Sequence, residues 1–305
     1  MAVPHRTIAS GPPSGRQRAV AERTQRTIRR RRLRSSVMVA LMYVAAAMAV
    51  VPLIAIIVHL VVHGASSLDV DFFTKMQRPP GEPGGGVAHA IIGTLILIII
   101  AGAVGLPVGI GAGLYLAERR TTLLATSVRF LADVLNGLPS IVMGIFAWEL
   151  LVRPVRHFSA LAGGIALGAM MIPMVTRTTE EMVRLVPIAL REAALALGYS
   201  RWRTSLAIVL RTALGGIVTG ALVAMARIAG ETAPLLFTAL GNQFWSTSLR
   251  APIAALPLQI FNYAISPYDE WHAQAWAAAL VLVGIVFVIS LAARVATRRR
   301  FGTGE

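Results

Sequence analysis

The 305-residue chain contains no cysteine and a single lysine, Lys75. Without cysteine it forms no disulfide, offers no thiolate nucleophile and supplies no sulfur ligand to a metal. With its one lysine in Phe-Phe-Thr-Lys-Met, no G-x-x-x-x-G-K-[ST] loop exists, so the chain has no Walker A site of its own for ATP. Six histidines are scattered. The closest pair, His59 and His63, lacks the glutamate of an H-E-x-x-H zinc site and is read as a packing or surface pair. No G-x-S-x-G elbow or Ser, His and Asp grouping stands out, which argues against an enzyme acting alone. Charge is also scarce, at 14 % of residues against about 25 % in soluble domains, while 56 % are hydrophobic, and this excludes a single soluble globule. Acidic residues are the rarer sign, 14 against 29 basic, for a net charge of +15.

Long apolar runs are what the chain has instead. Residues 37–62 hold no acidic or basic side chain apart from His59, and residues 90–117, 158–176 and 273–293 are free of charge. Each approaches or exceeds the roughly 20 residues that cross a bilayer. Two further apolar segments are interrupted by charge, one through Asp133 to Glu149 and one from Ser205 through Arg211 and Arg227 to Gly230. Ionisable groups inside a membrane segment face protein, water or a substrate path. The expectation is an all-α integral membrane protein with six transmembrane helices, the first over residues 37–63 and a five-helix core over 88–296. Glycines repeat every four residues at Gly105, Gly109 and Gly113, at Gly164 and Gly168, and at Gly216 and Gly220, which predicts close helix packing.

Threading six spans with both termini inside puts twenty-three of the twenty-nine basic residues on the cytoplasmic side and five outside. That asymmetry follows the positive-inside rule and sets an N-in/C-in orientation. The basic excess therefore belongs to the inner membrane surface and its lipid, not to a nucleic acid. Residues 1–36, with ten arginines among Pro, Gly, Ser and Thr, are expected to be a disordered cytoplasmic tail. Its arginines hold the chain's inner end in place, or else meet acidic lipid or a regulatory partner. Residues 297–305 are expected to form a second cytoplasmic tail. The first apolar run is too long for a cleaved signal peptide and reads as an anchor.

Between the fourth and fifth spans, residues 191–202 are too polar to insert and rich in helix formers, predicting short cytoplasmic helices near 180–205. Glu192, Ala193, Ala194, Gly198, Ile208 and Leu210 resemble the E-A-A-x-x-x-G-x(9)-I-x-L-P loop of bacterial ABC importer permeases, with Arg211 in place of the proline. Gly198 suits a helix end with positive φ. A longer run, Ala226-Arg227-Ile228-Ala229-Gly230-Glu231-Thr232-Ala233-Pro234, continued by Gly241 to Trp245, is similar to the signature of the PstA family, permease subunits of phosphate-specific ABC transporters. Residues 84–94, 136–147 and 171–187 fit the same family, over about residues 40–298 in all.

That resemblance implies a type I ABC importer (MetI-like) permease bundle that translocates phosphate by alternating access. It also implies a heterodimer with a sister permease of PstC type, a homodimeric ATPase of PstB type and an external phosphate-binding protein of PstS type. The ATPase would hold ATP and magnesium and dock on Glu192, Ala193, Ala194 and Gly198. No cofactor or metal is expected on this chain. Sulfate or molybdate as cargo, or an ATP-independent phosphate transporter, remain the alternatives.

Arg227 and Glu231 are four apart and would share a helical face between uncharged stretches. A guanidinium forks onto two phosphate oxygens, so Arg227 suits a transient anion site. Glu231 would weaken that hold or accept the proton of monohydrogen phosphate; the alternative is a salt bridge that only lets the helix cross. Arg177, at the inner end of the fourth span, is a second cation for the path, as the resemblance also implies, or an interfacial anchor. Asp133 and Asn136 line the path or bond to a neighbouring helix.

Overall fold

The computed structural model describes residues 15–79, 82, 84–119 and 121–301. Regular structure among them is helical, with one isolated bridge between Leu240 and Ile253. In chain order the helices are α1 (Gly15–Gly64), α2 (Val70–Thr74), α3 (Ala88–Glu118), α4 (Leu123–Gly137), α5 (Ser140–Ala147), α6 (Ala160–Arg184), α7 (Ile188–Ala196), α8 (Arg201–Arg203), α9 (Leu210–Ala229), α10 (Ala233–Thr238), α11 (Leu256–Ala264) and α12 (Asp269–Phe301). Two π turns extend this pattern, Trp148–Val152 after α5 and Thr204–Val209 joining α8 to α9.

The chain forms two compact units, residues 1–58 and 59–305. In the first, α1 presents large apolar side chains such as Leu41, Val51 and Ile54 on its surface, as a helix immersed in lipid does. In place of a disordered tail over residues 1–36, α1 begins at Gly15; residues 1–14 lie outside the described residues. The stretch after Gly15 has no proline or further glycine up to the span and is rich in Arg, with Gln17, Glu22 and Gln25 among them. Such residues extend an already nucleated helix at one hydrogen bond each. At the other end α12 continues into the expected C-terminal tail as far as Phe301, and residues 302–305 lie outside the described residues.

Five helical stretches are long and apolar enough to cross a membrane: Arg30–Ser67, Ala88–Glu118, Ala160–Arg184, Arg201–Ala229 and Asp269–Leu291. The segment expected to cross through Asp133 to Glu149 is instead a broken pair, α4 and the helix Ser140–Val152, bent by 108°. Leu138 and Pro139 cause the break. Leu138 precedes proline and is extended (φ −72°, ψ 138°), a conformation the proline ring imposes on its neighbour. Counting that pair as one crossing gives six.

Within the second unit α6 is the most enclosed span. The glycine stripes seen in the sequence are where it touches its neighbours. A Cβ on Gly105 would lie 3.0 Å from Met171 Cβ, one on Gly109 2.7 Å from Val175 Cβ, and one on Gly113 2.5 Å from Thr179 Cβ. Gly164 and Gly168 of α6 meet Ile100 and Val104 of α3 in return, and Gly216 and Gly220 of α9 meet Met182 and Thr178 of α6. Leu97, Leu167, Met171, Val175, Ile228 and Leu235 fill the seam between them. Alanine at Gly113 is therefore expected to cost about 1–3 kcal/mol by forcing α3 away from α6. A lowered thermal midpoint of the purified protein measures it.

The N-terminus of α11 is received by α3: the Leu256 backbone N–H donates to Thr94 Oγ1 at 2.7 Å, and the same hydroxyl donates to the Ala90 carbonyl. Gly93 is the adjoining residue at which the Ala254 carbonyl touches the helix.

Candidate functional site

The seam between α4 and α6 is built on charge. The Arg177 guanidinium forks onto Asp133, with Nε 2.8 Å from Oδ1 and Nη2 on Oδ2, and its Nη1 lies 3.2 Å from Glu180 Oε2. Glu180 is 1 % exposed and also receives Arg129 Nε at 2.8 Å and Arg184 from the next turn of α6. Arg129 donates in addition to the Leu116 carbonyl at 3.2 Å, tying α4 to the end of α3. Three guanidiniums thus share one buried carboxylate, which is how such a group is held without water. Asp133, by contrast, is half exposed.

One turn away along the same seam lies a looser group. Asn136, Arg227 and Glu231 line a small pocket with Leu138, Met170 and Met174. Arg227 and Glu231 do not share a helix: α9 ends at Ala229, Gly230 caps it, and Glu231 stands in the break before α10. Gly230 and Pro234, close on either side, make the break. The two charges nevertheless stay close, Arg227 Nε lying 3.9 Å from Glu231 Oε1. Arg227 Nη1 is 3.8 Å from Met174 Sδ, and its side chain is 54 % exposed on the surface of the single chain. The structure therefore brings Asn136, Arg227 and Glu231 together, and sets Arg177 and Asp133 beside them as a separate, tightly bonded pair.

At the far end of α6, Glu192, Ala193 and Ala194 lie on α7 and only Ala194 is buried. Gly198 has φ +82° and closes the helix: its N–H donates to the Leu195 carbonyl at 3.0 Å, and that of Tyr199 to the Ala194 carbonyl at 3.1 Å, a Schellman pair. Arg211, where the related loop has proline, sits inside a continuous helix Arg201–Ala229 that is interrupted only by the π turn before it.

Sequence reasoning missed Glu180, Arg129, Arg184 and Met174. Glu180 was accessible in principle, standing three residues after Arg177 and four before Arg184, the spacing of side chains on one helical face.

Residues 109–302 match the family described as binding-protein-dependent transport system inner membrane component. The fold is similar to that of the MetNI methionine ABC transporter in an inward-facing conformation (TM-score 0.56, 20 % identity, 70 % of this chain and 94 % of that one). By sequence the chain is 50 % identical over 244 residues to the phosphate transport system permease protein PstA of Yersinia pestis, covering 80 % of this chain and 83 % of that protein. The PstA of Xylella fastidiosa (strain Temecula1) is 45 % identical over 89 % of this chain and 95 % of its own length. The chain belongs to the PstA family. Arg129, Asp133, Arg177, Glu180, Arg184, Arg227 and Glu231 all lie within the span matched to the wider transport family. A PstA-family chain is a permease subunit of an ABC transport system, and this one is a multi-pass protein of the cytoplasmic membrane. The protein named probable phosphate transport system permease protein PstA of Methanocaldococcus jannaschii, 37 % identical over 82 % of this chain and 89 % of its own length, extends the likeness to a more distant relative.

Proposed function

We propose that this PstA-family chain forms one half of the membrane gate of an ATP-driven importer for inorganic phosphate, and that Arg227 and Arg177 are the two cations the anion meets. The observation that carries this reading is a loosely held guanidinium beside a tightly held one on adjoining turns of a single seam. Among the described residues Arg227 has only a 3.9 Å ion pair and a thioether neighbour, so its fork is open to an oxyanion. Glu231 competes for the same donors and keeps that hold weak. Weakness is required, because an anion bound equally tightly in both states of an alternating-access cycle shifts neither and is not released. Arg177 stands about 4.5 Å further along α6 than Met174, the residue touching Arg227. Its fork is filled by Asp133, so phosphate passes when it exchanges with that carboxylate, while Glu180 keeps the guanidinium in place. Asn136, on the pocket wall, adds a neutral hydrogen-bonding group.

Six crossings with both termini inside follow from taking α4 and α5 as one span and from the arginine excess. α7 then lies at the inner surface. Its neighbourhood exposes Ile188, Leu195, Leu197 and Trp202, an apolar surface next to Glu192 and Ala193 that suits a homodimeric ATPase of PstB type. That subunit would bind and hydrolyse ATP with magnesium. A PstC-type permease completes the gate, and a PstS-type binding protein delivers phosphate from outside.

Vesicles reconstituted with the complete transporter and its binding protein test the proposal. Labelled phosphate is expected to enter only when ATP is supplied on the ATPase side, and equimolar sulfate or molybdate should leave the rate unchanged. Entry without ATP would make the chain part of a secondary transporter. Equal competition by sulfate would change the cargo.

A further inference from the structure

A second charged cluster lies at the α7 end of the bundle, away from the anion path. Glu118 is the last residue of α3. A carboxylate there faces the negative end of its own helix dipole and gains nothing from that helix. It is instead where other elements meet. Arg191 Nη1 of α7 lies 3.6 Å from Glu118 Oε1, and the Ser205 hydroxyl, in the π turn leading into α9, donates to the same oxygen. Arg191 Nη2 also donates to the Val183 carbonyl in the last turn of α6, at 3.0 Å. The ion pair is partly shielded, with side chains 23 % and 30 % exposed.

α7 has little else to grip. Ala194 is its one buried residue, and a single alanine methyl removes too little apolar surface from water to bear a load. Arg191 immediately precedes Glu192, Ala193 and Ala194, so it sits at the root of the exposed face. We infer that Glu118 and Arg191, with Ser205, form the clamp through which displacement of α7 is passed to α3, α6 and α9 together. Both charged residues are positioning residues and take no part in binding phosphate. The clamp closes on a π turn, a local widening that is often found at functional sites and that can change its winding without breaking the helix. This inference rests on α7 being the ATPase dock.

The test uses the complete transporter in vesicles with its phosphate-loaded binding protein. Two quantities are read: phosphate imported per ATP hydrolysed, and ATPase recovered with the complex. Glu118→Gln keeps the side-chain shape and is expected to retain the ATPase while lowering import per ATP roughly fivefold or more. Exchanging the charges, Glu118→Arg with Arg191→Glu, is expected to restore most of the ratio while ATPase recovery stays level throughout; a merely structural pair would change the recovery and leave the ratio of the surviving complex alone. Should Glu118→Gln fail to assemble, Arg191→Lys, which keeps the charge and loses the fork, is expected to give an intermediate ratio. A wild-type ratio in whichever of these variants assembles, or no recovery on charge exchange, overturns the clamp. Glu192→Lys separates the two readings: uncoupling there with normal coupling in Glu118→Gln removes the clamp alone, whereas normal ATPase recovery and coupling in Glu192→Lys removes α7 as the dock.

Discussion

Lysine in place of Arg227 is expected to lower the initial rate of phosphate uptake roughly tenfold or more in a transporter that still assembles, since a charge-assisted hydrogen bond is worth about 1.5–3 kcal/mol and each 1.4 kcal/mol is tenfold. The physical reason is geometric. Lysine keeps the positive charge beside Glu231 and so preserves any ion pair needed for the segment to cross, but its ammonium is a point charge and cannot fork onto two phosphate oxygens. Alanine removes the charge as well and should lower the rate at least as far. Uptake is measured with labelled phosphate and normalised to the amount of complex. A rate within twofold of the unaltered protein for both substitutions would reduce Arg227 to a salt-bridge partner of Glu231.

Glu180→Ala is expected to destabilise the protein by about 3–5 kcal/mol, the cost of removing one partner from a buried ionic group. Arg129, Arg177 and Arg184 all converge on this carboxylate, and it is almost wholly removed from solvent. Alanine leaves three guanidiniums crowded together in the seam between α4 and α6. Glutamine keeps the shape and two polar atoms and should fall between alanine and the unaltered protein. The thermal midpoint of the purified complex and its assembled yield read the effect. Removing Arg184 together with Glu180 should recover part of the loss, because one uncompensated cation goes with it; an unchanged midpoint in Glu180→Ala would show that the arginines are already satisfied elsewhere.

Much of this architecture is legible in the residues, and what is not has definite causes. The four-residue glycine repeats of α3, α6 and α9 are contact seams because absence of a side chain is itself the packing signal. Gly198 closes α7 because glycine alone reaches its positive φ without cost. The break between α4 and α5 was harder to see, although Pro139 marks it, because an apolar window averages across a kink. The helical start of α1 was hidden by composition: arginine-rich residues read as too polar to pack, yet they need no packing once a membrane span has nucleated the helix. Within the candidate site, the four-residue spacing of Arg227 and Glu231 predicts one continuous helix, but the helix ends at Ala229 and a tighter turn through Gly230, whose N–H donates to the Arg227 carbonyl, keeps the two close. Glu180 escaped notice because its partners come from two helices. Spacing along one chain segment shows Arg177 and Arg184 but not Arg129, which arrives from fifty-one residues away.

The contact of α3 with α6 through Gly105, Gly109 and Gly113 has a mechanical corollary. Where bare glycine backbone receives Met171, Val175 and Thr179 this closely, those side chains have no room to swing into a new rotamer and absorb slippage. The two rods must tilt as one stiff beam, and any rearrangement during a working stroke falls on the seams that are hinged by ions and by broken helices.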